Sequence, residues 1–112
     1  MTERNIDPTV FQLHAEICKT LSNSTRLMIL NSLRDGEKSV NELAELVGAQ
    51  QANVSQHLAV LRQQGVVTTR KHGANIYYSV ANPKIIRACD LIREVLFEHL
   101  VKTRELTKDI LK

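Results

Sequence analysis

The sequence predicts a mainly α-helical fold of about five helices carrying one β-hairpin, and three observations predict it. Apolar residues recur at helical spacing through most of the 112 residues. The period changes to two only between Val66 and Val80. Aromatics are confined to Phe11, Phe97, Tyr77 and Tyr78, with no Trp, so the core has to be aliphatic. This length suits one domain with a modest core, and 1–112 reads as a single domain.

The first helix, 8–21, opens on Asp7-Pro8, a cap followed by proline at the first helical position. Val10, Leu13, His14, Ile17, Cys18 and Leu21 then share one face. Ser22-Asn23-Ser24 caps a second helix carrying Leu27, Ile29, Leu30 and Leu33, closed by Asp35-Gly36. Ser39-Val40-Asn41-Glu42 has the S-x-x-E form of a capping box and opens a short third helix with Leu43, Ala44, Leu46 and Val47, which Gly48 ends. A fourth helix places Val54, Leu58 and Leu61 at i, i+4, i+7 and stops before Gly65.

Two β-branched and aromatic runs follow, 66–70 and 76–80, joined by a loop at 71–75 that contains Gly73. Asn82-Pro83 starts a long last helix, 83–110, with Ile85, Ile86, Cys89, Ile92, Val95, Leu96, His99 and Leu100 on its stripe, continuing through Leu106 and Ile110. Helix, helix, helix–turn–helix (40–64), hairpin (66–80) and long helix is the order of a winged helix-turn-helix. Ala44 permits close helix approach, Gly48 supplies the turn, and Val54 anchors the second helix on the first.

Charge points to a partner. Residues 49–80 contain no Asp or Glu but hold Arg62, Arg70 and Lys71, so this segment carries the whole net charge of +3. Such a one-sided footprint suits a polyanion. On the fourth helix, Gln50, Gln51, Asn53, Ser55, Gln56 and His57 lie between the buried positions, mostly in its N-terminal half. An ordinary solvated face mixes Glu and Lys at i,i+4. This one is polar and uncharged; its amides suit bidentate bonds to adenine, and a helix N-terminus favours phosphate.

Leu21-Ser22-Asn23-Ser24-Thr25-Arg26-Leu27-Met28-Ile29-Leu30 resembles the start of the second helix in the ArsR/SmtB repressors. The run from Asn53 through His57 and Arg62 to Val67 is similar to that family's recognition helix and its turn into the wing, and Arg70-Lys71-His72-Gly73 with Ile76-Tyr77-Tyr78 resembles the wing itself. The resemblance spans 21–80. It implies a homodimeric repressor of double-stranded operator DNA that lets go when an inducer binds. It further implies base contacts from Gln51, Asn53, Ser55 and Gln56, and Gln50 at the helix entrance near a phosphate. Arg62, Arg70, Lys71 and His72 would touch phosphates or the minor groove. Arg26 fits a salt bridge buttressing the helix–turn–helix better than a DNA contact. The chain departs from the family pattern at Gln50, commonly Ser, and at Ala52, commonly Pro, which weakens the cap of the recognition helix.

One winged domain makes few phosphate contacts, so a dimer through the first and last helices is expected. It would hold two recognition helices about 34–36 Å apart over a palindrome. Metal ligation and cofactors are not expected. The family's thiol pattern in the third helix is absent from 38–43; on the last helix Asp90 is followed by Ile92 where His is needed, and Glu94, Glu98 and His99 do not reproduce the spacing.

Cys18 and Cys89 stay open to several readings: small buried hydrophobes, a dithiol switch answering oxidant or persulfide, or a soft site for arsenite with a third donor. His14 and His99 lie one turn away. No Gly-rich phosphate loop or nucleophile–base–acid set suggests an enzyme. The rival class is a winged helix that binds protein, or one that answers a different ligand. No apolar run reaches the roughly 20 residues needed to cross a bilayer, and 1–8 lacks the apolar stretch of a secretion signal, so a cytoplasmic protein with no membrane partner is expected.

Overall fold

The computed structural model describes residues 7–111, with side chains through residue 105. The N-terminal segment read for a secretion signal, and the side chains of Leu106 and Ile110, lie outside the described residues. In chain order the elements are α1 (Pro8–Leu21), α2 (Ser24–Ser32), β1 (Lys38–Ser39), α3 (Val40–Val47), α4 (Gln51–Gln63), β2 (Val67–His72), β3 (Asn75–Val80) and α5 (Pro83–Leu111). They fall into two compact units, 1–82 and 83–112.

Local chemistry sets the boundaries. Asp7 caps α1 by accepting from the Thr9 N–H at 2.7 Å, and that bond holds its carboxyl below the usual range. Asn23 caps α2 through the Arg26 N–H. The Ser39/Glu42 capping box is complete in both directions, and Gly48 closes α3 at φ 69. A full Schellman motif ends α4: Val66 N–H bonds the Leu61 carbonyl at 2.8 Å and Gly65 N–H that of Arg62 at 3.0 Å, with Gly65 at φ 75. That turn delivers Val66 and Val67 into the core.

Within the first unit the buried apolar set is Ile29, Leu30, Leu33, Leu43, Val54, Leu58, Leu61, Val66 and Val67. Three helices and the base of the hairpin supply it, as an aliphatic composition requires. Leu46 does not join: it is 59% exposed, although it stands three residues from the buried Leu43.

The sheet differs from expectation in two ways. Lys38 and Ser39 form a third strand that pairs antiparallel with β3, giving the order β1-β3-β2. The hairpin loop is two residues, not five; Lys71 pairs with Ile76 and His72 with Asn75, leaving Gly73-Ala74 as the turn. Gly73 is at φ 62 while Ala74 is not positive, the sign pattern of a type II′ turn whose twist matches the strands. α2 also stops earlier than expected, at Ser32, with Gly36 beyond it.

The second unit is α5 alone, 29 residues long. Leu91, Ile92, Val95, Leu96, Phe97, Leu100 and Val101 are exposed along it.

Candidate nucleic-acid interface

The candidate interface is defined by what α4 hides. Val54, Leu58 and Leu61 have no exposed surface. Fixing that stripe inward turns Gln51, Asn53, Ser55, Gln56 and Arg62 outward, and all five are exposed. Gln50 occupies the N-cap, exposed, and its side chain makes no capping bond, so the first-turn N–H groups have no acceptor from the cap. A helix start of this kind suits an anion. No residue of α4 is acidic.

His57 departs from this set. It is half-buried, and its Nδ1 accepts from the Arg26 Nε at 3.1 Å. That bond turns the ring toward α2 and places the neutral ring's proton on Nε2. Arg26 is a buttress, but not through a salt bridge. Its second bond runs from Nη1 to the Thr20 carbonyl at 3.1 Å. One guanidinium therefore ties the last turn of α1 to the middle of α4, with a neutral ring where a carboxylate was expected.

Strand alternation divides the wing into two faces. Val67, Thr69 and Lys71 pair with Val80, Tyr78 and Ile76, and Lys38 of β1 joins the Thr69–Tyr78 row. This face looks to α4, since Tyr78 lines a notch of about 390 Å³ with Ser55, Ala59, Arg62 and Gln63. Lys71 is therefore on the α4 side. Gln63 and Tyr78 line this notch, and Lys38 stands in register with Tyr78, although sequence reasoning passed over all three; carrying the period-two register on from Val67 brings out Tyr78, whereas Lys38 depends on a pairing between distant segments.

Arg70 lies on the other face, in the row of Tyr77 and Ser39. Its Nε donates to Glu37 Oε1 at 3.0 Å and its Nη2 donates to Glu37 Oε2, with the guanidinium 5.4 Å from the Tyr77 ring centroid. The expected free phosphate contact is thus occupied by a carboxylate from upstream of the acid-free segment. His72, exposed at the strand end, shares the Arg70 face.

Cys18 is exposed and Cys89 buried, so the small-core-residue reading fails for Cys18. Among the described residues no three or more His, Cys, Asp or Glu side chains gather as a metal site, and no helix is long and apolar enough to cross a membrane.

Residues 23–69, which run from the cap of α2 into the wing, match the family model for bacterial regulatory proteins of the arsR family. The regulator Rv0081 of Mycobacterium tuberculosis is 41% identical over 88 residues, 78% of this chain and 77% of that protein. The chain belongs to the arsR family. Its members are transcriptional regulators with a winged helix-turn-helix and not enzymes. The crystal structure of Rv0081 superposes with a TM-score of 0.76 at 38% identity, covering 88% of this chain and 98% of that one.

The Mycobacterium bovis arsR-type domain Mb0332, described as a homodimeric winged helix-turn-helix DNA-binding domain, matches with a TM-score of 0.75 at 31% identity, over 89% of this chain and 91% of that one. KmtR of M. tuberculosis is 47% identical over 73 residues, 65% of this chain, and the match spans 56% of KmtR.

Proposed function

We propose that this arsR-family chain is a homodimeric repressor that reads operator DNA with α4 and is released by a thiol-directed inducer. The single observation that carries the DNA reading is the exposed, carboxylate-free face of α4, bordered by Arg62 and the inward face of the wing. In this assignment Gln51, Asn53, Ser55 and Gln56 read base edges. Gln50 and the first turn of α4 meet a phosphate, Arg62 and Lys71 grip the backbone, and His72 reaches it from the wing tip. His57 acts on α4 through Arg26.

Support for pairing comes from the homodimeric Mb0332 domain and from apolar side chains exposed on α1 and α5. The inducer reading rests on the exposed Cys18 thiol, open to an electrophile or a soft ion, with Cys89 as the second thiol. In its disulfide form, each thiol loses a proton, a polysulfide or peroxide takes up two electrons, and an S–S bond forms. Loss of operator binding after polysulfide or arsenite in the wild type, retained binding in Cys18→Ser, and mass spectrometry of the intact chain check it. Release that persists in both Cys18→Ser and Cys89→Ser removes the thiol from the reading.

DNA binding is tested by titrating a fluorescent duplex against salt. Affinity should fall steeply as salt rises. Gln51→Ala and Gln56→Ala should each narrow the gap between operator and random DNA by about 1–3 kcal/mol if bidentate. Equal losses on both duplexes would take base reading away from these residues. A protein-interaction module retains no duplex even at low salt.

A further inference from the structure

We propose that Glu37 is a built-in stand-in for a DNA phosphate: it holds Arg70 out of the interface, so Glu37 sets how many backbone phosphates the wing engages. The inference deepens the DNA-binding reading and rests on it.

Three observations carry it. The first is valence. Arg70 gives its Nε and Nη2 to the two oxygens of one carboxylate, the fork geometry by which guanidinium binds phosphate. That edge holds one anion at a time. The second is direction. Arg70 shares the sheet face of Tyr77 and Ser39, whereas Thr69, Lys71 and Tyr78 lie on the face that forms the notch with α4. The Tyr77 ring, 5.4 Å from the guanidinium, adds a weaker cation–π contact beside the Glu37 fork.

The third is charge. Arg70 is one of only three cations in the acid-free stretch 49–80, and Glu37 cancels it from outside that stretch. The Arg70 bond also holds the Glu37 carboxyl below its ordinary range. Both side chains remain partly exposed, at 54% and 36%, so the pair exchanges with solvent and removal of its acid frees the arginine. A wing with one cation withheld grips all sequences less, which leaves proportionally more of the binding to the base-reading face of α4.

The experiment measures anisotropy of a fluorescein-labelled mixed-sequence duplex against salt for the full chain. The variants are Glu37→Gln, Arg70→Ala, the double variant and Arg62→Ala. Glu37→Gln should bind more tightly and steepen the log–log salt slope by about 0.9, one additional phosphate. The gain is then about three- to fourfold larger at about 50 mM than at about 200 mM salt. Arg70→Ala should match the wild type, and the double variant should match Arg70→Ala.

Weaker binding by Arg70→Ala would overturn the proposal, because it would place Arg70 on DNA already. So would equal tightening by Glu37→Gln with and without Arg70 at an ionic strength of about 0.15 M, which is a bulk charge effect. Glu37→Ala repeats the test with a second side chain, and thermal melts confirm folding. If the wild type binds and Arg62→Ala weakens it, failure of the Glu37 effect removes this inference alone. If the wild type binds no duplex, the DNA reading falls with it.

Discussion

Arg26 shows how one side chain can tie the proposed reading helix to the rest of the domain. Its two bonds, to the Thr20 carbonyl and to His57 Nδ1, cross from α1 to α4 and fix the rotation of the helix that carries Gln51 and Gln56. Arg26→Ala removes both bonds and strands a carbonyl at the end of α1. The expected cost is about 1.5–3 kcal/mol, the range for a bond to a charged donor, read from the urea midpoint. Arg26→Lys should recover only part, since a compact ammonium cannot reproduce the guanidinium fork. Base discrimination should fall together with stability in Arg26→Ala, whereas in Gln51→Ala it should fall with stability unchanged. A stable Arg26→Ala variant with full discrimination would separate this residue from the recognition helix. The buttressing role was legible in the sequence, but its partner was not. A neutral histidine 31 residues away leaves no charge pattern, so the expected salt bridge became a pair of hydrogen bonds.

At the scale of elements, the join between β1 and the start of α3 is where acid should act first. Glu42 bonds the Ser39 N–H, chiefly for which its carboxyl lies below the ordinary value of 4.5, and Glu37 is lowered by its bonds to Arg70. With both folded values below the unfolded ones, each contribution is fully present above the ordinary range and is lost as pH falls through the folded value. Stability measured by urea should therefore drop below about pH 4.5, and Glu37→Gln with Glu42→Gln should flatten that drop. Ser39→Ala should cost about 1 kcal/mol at neutral pH through loss of the cap.

The same join explains what sequence pattern could and could not reveal. The S-x-x-E box and Gly48 locate α3, because both are local chemistry. β1 is two residues long and is defined by pairing with Tyr77 and Tyr78, far along the chain, so no local period announces it. The hairpin extends past Arg70 because Gly73 makes a tight turn, and the low strand preference of Lys71 and His72 is overridden by the ladder that turn enforces. The exposed, acid-free face of α4 was legible because Val54, Leu58 and Leu61 fix its rotation. Arg70's pairing was not, since its carboxylate lies 33 residues upstream.

For the whole molecule, the remaining question is what covers the apolar side chains that each unit leaves in water. On α1, Leu13 is 63% and Ile17 42% exposed, one turn apart; on α5, Ile92 is 68% and Leu96 48% exposed at the same spacing. Single exposed leucines are ordinary, but stripes repeated on both terminal helices suit a helical interface between two copies. Pairing presents two α4 helices to one palindrome, and the second contact then forms at the high effective concentration set by the first. Leu13→Glu with Ile17→Glu, or Ile92→Glu with Leu96→Glu, should therefore yield monomers in sedimentation velocity while leaving the helical signal in circular dichroism intact. Operator affinity should fall by about 10²–10⁴-fold and the salt slope should halve, since one winged unit displaces half the counterions. Half-site affinity should stay at the wild-type level, because the substitutions touch neither α4 nor the wing. Wild-type protein that sediments as a monomer while binding a palindrome no better than its half-site would leave these stripes without a partner and the reading head single.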